Sequence, residues 1–449
     1  MSKTVKLRKG FDIKMKGAAD RIFFQNPMPD SVALKPTDFV GLTAKLAVKE
    51  GDKVLAGDPL FVDKFRPEVN FVSPVSGTVS AINRGARRAL LSIVVTPDQE
   101  IEYKKFEAGN LDSLSREQVV STMLAAGVWP FVKQRPYDII ANPEDKPKAI
   151  HISAFDTAPL APDYTYALEE SAEDFQIGVN ALKKLTDGAV NLNIFKEGRA
   201  KTTFTQIQGV EQNFFEGPHP AGNVGVQIHH IDPINKGEVV WVVNPQDVVI
   251  IGRLFSKGIF DARIVVALTG MVKNPRYYKT ILGTSIKSFL NAESINDDMR
   301  VISGNVLTGT KLGKDDYISF YDSQVTVIEE GNKPTFMGWL APGFGKYSFS
   351  RAFFSWLRPN KEFSLNTNYN GGARAFVFTG VYEQVLPMDI YPMQLLKAIL
   401  AEDIDKMEQL GIYEVVPEDF ALCEFVCPSK IEIQTILRNG LDMIRKEFN

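Results

Sequence analysis

Two Gly-Asp pairs six residues apart, Gly51-Asp52 and Gly57-Asp58, confine the front of this chain to short strands and tight turns. The apolar residues Val48, Val54 and Leu60 fall between them. Turn residues set between alternating apolar positions build hairpins, not helices. Ser73-Pro74, followed by Gly77 and Val79, repeats the device after a gap. A fold that starts this way is a small β-structure with a protruding hairpin, Val62 to Pro67, between two similar halves.

The chain has 449 residues, which at about 100–200 residues per domain allows roughly three or four domains. A net charge of -3 gives no global basic field to attract nucleic acid. The short basic run Arg84 to Arg88 reads as a solvated turn. Two cysteines, Cys423 and Cys427, cannot form a disulfide framework and point to a reducing compartment. The N-terminus is basic but lacks an apolar signal region. No stretch reaches the ~18 apolar residues of a membrane span. The best candidate, Val239 to Ile251, is broken by Asn244 to Asp247, so membrane association is expected through a partner.

Four segments follow from pattern. Residues 1–104 resemble the biotinyl/lipoyl-type barrel-sandwich hybrid domain. The lysine which that family modifies is expected at Pro67, and Lys64 comes three residues early, so the scaffold is expected without the carrier role. Residues 105–250 read as α/β. A helix begins after Ser113 or Ser115 as cap. Strands Ala149 to Ser153 and Ala189 to Ile194 flank a helix from Glu170 to Leu185, which suggests a parallel sheet of Rossmann-like type. In residues 251–331, Gly270-Met271-Val272 with Pro275, and Leu282-Gly283 with Ser285-Ile286, resemble the SLBB-type (soluble-ligand-binding) β-grasp domain. Residues 332–449 end in helices. Pro392 opens one whose apolar stripe, Leu395, Leu396 and Ile399, continues through Met407 to a stop at Gly411. A last helix runs from Ile431 to Phe448.

These parts, in some order, also make up the flavin-binding subunit of respiratory complex I and the C subunit of the ferredoxin-linked electron-transport complex. Their order and wording here most resemble the NqrA family of the sodium-translocating NADH:quinone oxidoreductase. The phrases that carry the likeness are Ala81 to Arg88, Leu114 to Val120, Gly217 to Gly222, Val301 to Gly304, Leu307 to Thr310, Gly338 to Pro342, Asn370 to Gly372 and Leu422 to Pro428. The resemblance implies a peripheral subunit on the cytoplasmic face of the bacterial inner membrane. It also implies a complex that oxidises NADH, reduces quinone and exports sodium, with NADH, FAD, FMN, iron–sulfur and quinone distributed over the whole assembly.

Two sites of the relatives look degraded. Where a glycine-rich loop would admit a phosphate, the chain reads Ala126 to Lys133 and keeps only Gly127. Trp129 and Phe131 would occupy the phosphate space, and Pro130 removes an amide donor. Those aromatics, with Lys133 as a donor, suit a quinone ring; core packing is the simpler reading and is favoured on the residues alone. A four-thiolate cluster motif survives only as Cys423 and Cys427-Pro428, with Phe420 and Pro417 at the upstream ligand positions. No redox cofactor and no metal are therefore expected in this chain. His219, between two prolines, could donate to a carbonyl or hold a loop. His151 reads as a core histidine, and His229 and His230 are expected on a strand, facing opposite ways. A self-contained flavin-dependent NADH dehydrogenase is the alternative from another class.

Overall fold

The computed structural model describes residues 3–196, 202–290, 296, 298–331, 336–338 and 340–448; Trp339, within the phrase Gly338 to Pro342, lies outside them. The barrel-sandwich consists of a four-stranded sheet (Val32–Leu34, Leu90–Pro97, Gly77–Arg84, Lys53–Val54) and a three-stranded one (Ala44–Leu46, Pro59–Asp63, Asn70–Val72). The Gly-Asp pairs act as the alternation requires. Asp52 and Asp58 each accept an N–H three residues upstream, from Lys49 at 2.8 Å and Leu55 at 2.9 Å. That closes each turn with a side chain. Inside, Phe61 and Phe71 stack at 4.5 Å. At the hairpin tip Lys64 is exposed, and Arg66 ties the tip to the next domain by donating to Ala141 O at 3.3 Å.

Two strands from the first segment lie outside the barrel. Thr4–Lys6 adds to the edge of the α/β sheet, beside Glu211–Glu216, and Asp20–Gln25 adds to the β-grasp sheet beside Arg276–Ile281. The N-terminus thus laces two later domains together.

The α/β sheet has seven strands in the order Thr4–Lys6, Glu211–Glu216, Ala189–Phe195, Ala149–Ser153, Val240–Val242, Lys133–Arg135, Ile139–Ile140. The first five run parallel and the last two antiparallel. The central parallel strands are buried on both faces, which their continuous apolar runs require. Helices Ala172–Lys183 and Pro245–Lys257 cross very closely. A Cβ on Gly252 would lie 1.7 Å from Asp174 O, so only glycine permits this approach. The helix Arg116–Ala125 begins at Ser115 with a complete capping box closed by Gln118.

The β-grasp sheet has six strands, Thr310–Leu312, Met299–Ser303, Gln324–Glu329, Arg263–Gly270, Arg276–Ile281 and Asp20–Gln25. One apolar core runs unbroken through all three β-containing domains. Phe320 is a junction in it, 4.8 Å from the Phe39 ring and 4.7 Å from the Phe131 ring.

The C-terminal helices bury a second core around Leu395, Leu396, Leu437 and Leu441, which also receives Leu7, Ile13 and Met15. Two expectations need correction. The stripe after Pro392 is two helices, Pro392–Leu400 and Ile404–Gln409, because Glu402 turns left-handed (φ 55°) and Asp403 caps the second by accepting from Lys406 N. His229 and His230 lie on a helix, Val224–Ile231, not on a strand. The final helix spans Ile433–Phe448.

Candidate functional site

Lys133 and Arg135 alternate along one short strand, so both side chains leave the same face. They head a cleft of about 270 Å³, whose other lining includes Asp138, Asp156, Tyr164, Asn244, Tyr321, Asp322 and Glu418. It opens beyond the carboxyl ends of the parallel strands Ala149–Ser153 and Val240–Val242, where the strand order reverses about Ala149–Ser153. Doubly wound sheets bind ligands at such a crevice.

Lys133 is one-quarter exposed and pairs with Asp138 at 3.0 Å. Its ammonium also lies 5.1 Å from the centre of the Tyr321 ring. Burial alone would favour neutral Lys133, but Asp138 and Glu418 outweigh it and hold the charge. Tyr321 donates to Pro130 O at 2.7 Å, which fixes the ring. Arg135 turns inward and pairs with fully buried Asp419 at 2.8 Å. Around these cations several carboxyls resist ionisation. Glu418, whose side chain stays half exposed, is pushed up to about 7 by partial desolvation and by neighbouring Asp419. Asp322 is pushed up to about 6. Asp247, in the first turn of the helix that follows Asn244, is pushed up to about 8, and its Oδ2 finds no partner among the described residues. The cleft therefore combines one firm cation beside an aromatic face with acids that exchange protons near neutrality.

The turn after strand Ala149–Ser153 is where a dinucleotide or flavin phosphate would meet backbone amides. Here it reads Ala154, Phe155, Asp156, Thr157, with no glycine. Asp156 fills the position itself: its Oδ1 accepts the Ala158 N–H at 2.8 Å. An internal carboxyl group already on that amide opposes a phosphate by occupancy. The expected remnant of the phosphate loop lies elsewhere. Gly127 follows the end of helix Arg116–Ala125 in the left-handed conformation (φ 67°), packed on Val72, so it is a helix-ending glycine and not part of a strand-to-helix turn.

The four residues singled out from sequence part company. Trp129 and Phe131 are enclosed and line neither principal cavity. Trp129 donates to Ala141 O at 2.8 Å and meets Trp241 edge-on at 5.4 Å, while Phe131 stacks on Phe320. Lys133 lines the cleft. His219 sits behind it, outside its lining, with Nδ1 3.1 Å from Thr157 Oγ1 and Nε2 buried without a partner among the described residues. Burial lowers its pKa to about 4, so the ring is neutral. The shared face of Lys133 and Arg135 was readable from their spacing. Tyr321 and Glu418 come from distant segments and carried no local signal. A larger cavity of about 450 Å³, between strand Asp20–Gln25 and helix Pro245–Lys257, contains none of the four.

Cys423 and Cys427 are both buried. Tyr382 donates to Cys427 Sγ at 2.9 Å, and burial pushes the Cys423 thiol far above its ordinary range. Phe420, at one upstream ligand position, is core. Two thiols among apolar neighbours do not meet the four-thiolate requirement of a cluster. Among the described residues no three His, Cys, Asp or Glu side chains group to hold a metal ion. His229 donates to Glu414 and accepts from Asp389 N, so both its nitrogens are engaged, and His230 donates to Val226 O through Nδ1.

Comparison with known proteins matches three family domains in order along the chain. They are described as the NqrA N-terminal barrel-sandwich hybrid domain (residues 5–98), the NqrA second alpha/beta domain (114–260) and the NQRA C-terminal, SLBB domain (265–314). The A subunit of the Na(+)-translocating NADH-quinone reductase of Neisseria meningitidis is 39% identical over 447 residues, covering 99% of this chain and 100% of that protein. The corresponding proteins of Hahella chejuensis and Yersinia pestis are each 40% identical, again over 99% of this chain and 100% of theirs. Among solved structures, an NAD+-reducing [NiFe]-hydrogenase gives a TM-score of 0.38 at 12% identity, covering 75% of this chain and 64% of that one, a likeness too loose to bear on function. Among the described residues no helix is long and apolar enough to cross a membrane. With three family domains in register and relatives alike from end to end, the chain belongs to the NqrA family of the Na(+)-translocating NADH-quinone reductase.

Proposed function

We propose that this chain is a peripheral, cytoplasmic-face subunit of the Na+-translocating NADH:quinone reductase, a docking component that carries no redox centre of its own. The complex couples NADH oxidation and quinone reduction to Na+ export; electron carriers and the ion path belong to the partner subunits. The observation that carries this reading is Asp156, whose carboxylate takes an amide of the turn that follows strand Ala149–Ser153 and borders the cleft. The two buried thiols support it from the other end of the chain.

Within that role, the cleft headed by Lys133 is the quinone contact. A quinone ring needs a donor to its carbonyl oxygen and a flat apolar neighbour. Lys133 supplies the first and Tyr321 the second, 5.1 Å from the ammonium. Trp129 and Phe131 contribute by holding the strand that presents Lys133, not by touching the ring. The test is photo-crosslinking of the native membrane complex with a quinone analogue, followed by peptide mapping. Labelling at the segments around Lys133 or Tyr321, lost in Lys133→Met, supports the reading. Labelling confined to other subunits reduces this chain to a scaffold.

A further inference from the structure

Between Glu330 and Glu362 the sequence holds no acidic residue, although the whole chain is net acidic. The same interval contains two of the four tryptophans and five basic residues, Lys333, Lys346, Arg351, Arg358 and Lys361. Among its described residues several large apolar side chains point outward. Phe336 is 92% exposed, and Leu340, Phe344, Phe354, Trp356 and Leu357 each leave about half their surface in water. Single exposed apolar residues are ordinary, but a cluster of large ones marks a contact surface.

Part of the cluster is held in place. The rings of Phe344 and Phe354 meet at 5.9 Å, and Phe354 N donates to Pro342 O at 2.9 Å. Lys361 donates to Phe344 O at 2.9 Å and Lys346 to Gly338 O at 2.6 Å, so both cations sit among the exposed rings. Arg351 and Arg358 are exposed and take part in no ion pair among the described residues. Beneath, Phe363 is buried and exchanges backbone hydrogen bonds with Lys14 and Lys16 of the N-terminal segment.

We infer that this patch seats the subunit directly on the anionic surface of a phospholipid bilayer. Aromatic side chains with a polar or apolar edge settle at the headgroup level, and unpaired Arg and Lys beside them are drawn by anionic lipid. Lys346, Arg351, Arg358 and Lys361, set with exposed phenylalanines and Trp356 in an interval without acidic residues, match that chemistry on both counts. The contact lies apart from the Lys133 cleft and does not rest on the quinone reading. It adds a second anchorage beside the partner subunits.

Two measurements test it. The full chain, with Trp339→Phe, is mixed with vesicles of phosphatidylethanolamine and phosphatidylglycerol, or of phosphatidylcholine alone. The anionic vesicles are expected to bind the chain and to shift Trp356 emission to the blue, since Trp129 and Trp241 are already buried. Arg351→Glu with Arg358→Glu is expected to weaken binding by about tenfold or more. No binding, or equal binding to neutral vesicles, overturns the inference. In the assembled complex within its native membrane, a benzophenone amino acid at Phe354 is expected to give lipid adducts by mass spectrometry. Adducts to polypeptide alone overturn it and assign the patch to a partner protein.

Discussion

Arg135 and Asp419, 284 residues apart in sequence, meet at 2.8 Å with 3% and 0% of their side chains exposed. The pair joins the antiparallel strand of the α/β sheet to the C-terminal segment, next to Glu418 of the cleft. Removing one member leaves a buried charge, which costs about 3–5 kcal/mol. Asp419→Ala and Arg135→Met should each lower unfolding stability by about that amount in urea titration. The double variant Arg135→Met with Asp419→Leu should recover a large part of it, because apolar replacement of both partners is often neutral.

Asp247 sets a pH dependence with a definite sign. Its folded pKa, about 8, lies above the 3.8 of a free carboxyl because of burial. Between those values the folded chain holds a proton that the unfolded chain has released. This contribution is full below pH 4 and is lost as pH rises toward 8, at up to about 1.4 kcal/mol per pH unit. Asp247→Asn should flatten the fall in stability between pH 5 and pH 8, measured by denaturation at both. An unchanged slope would place the Asp247 carboxylate in a wetter site than its burial implies.

His219 works in the opposite direction. Burial lowers its pKa to about 4 from 6.5, so its contribution is present above pH 6.5 and is lost as pH falls toward 4. Carbon-bound proton shifts of His219 should stay those of a neutral ring at pH 5.5, whereas an exposed histidine is protonated there.

Gly252 permits the closest helix crossing in the α/β domain. Gly252→Ala places a methyl 1.7 Å from Asp174 O, and the helices must part. The expected loss is about 1–3 kcal/mol or more in thermal unfolding. Gly372→Ala, where a Cβ meets open space, should change stability little.

The two cysteines should be silent to thiol reagents in the folded chain. Both are buried and Cys423 is held firmly as the thiol, and the thiolate is the reacting form. Reaction with a disulfide reagent should reach two equivalents only after denaturant is added, matching the two cysteines of the chain.

Elements whose signals are local were readable. Ser115 was one of two candidate caps and does open its helix, and Asp52 and Asp58 announced their turns. His229 and His230 were misplaced because Val224, Val226 and Ile228 just before them alternate like a strand, whereas the segment Val224–Ile231 is a helix. Lys133 could be nominated from its neighbourhood. Its companions could not: Tyr321, Glu418 and Asp419 arrive through the β-grasp and C-terminal segments, and only the fold brings them together. Gly127 misled because a helix-ending glycine and a phosphate-loop glycine look alike without the strand that should precede the second.

The central claim is that this subunit lacks an electron carrier. Its most direct test is the flavin and iron content, with the visible spectrum, of the chain isolated undenatured from its native complex. The expected result is a colourless chain, without visible absorbance and with neither flavin nor iron near stoichiometry. One flavin or one cluster per chain would contradict it.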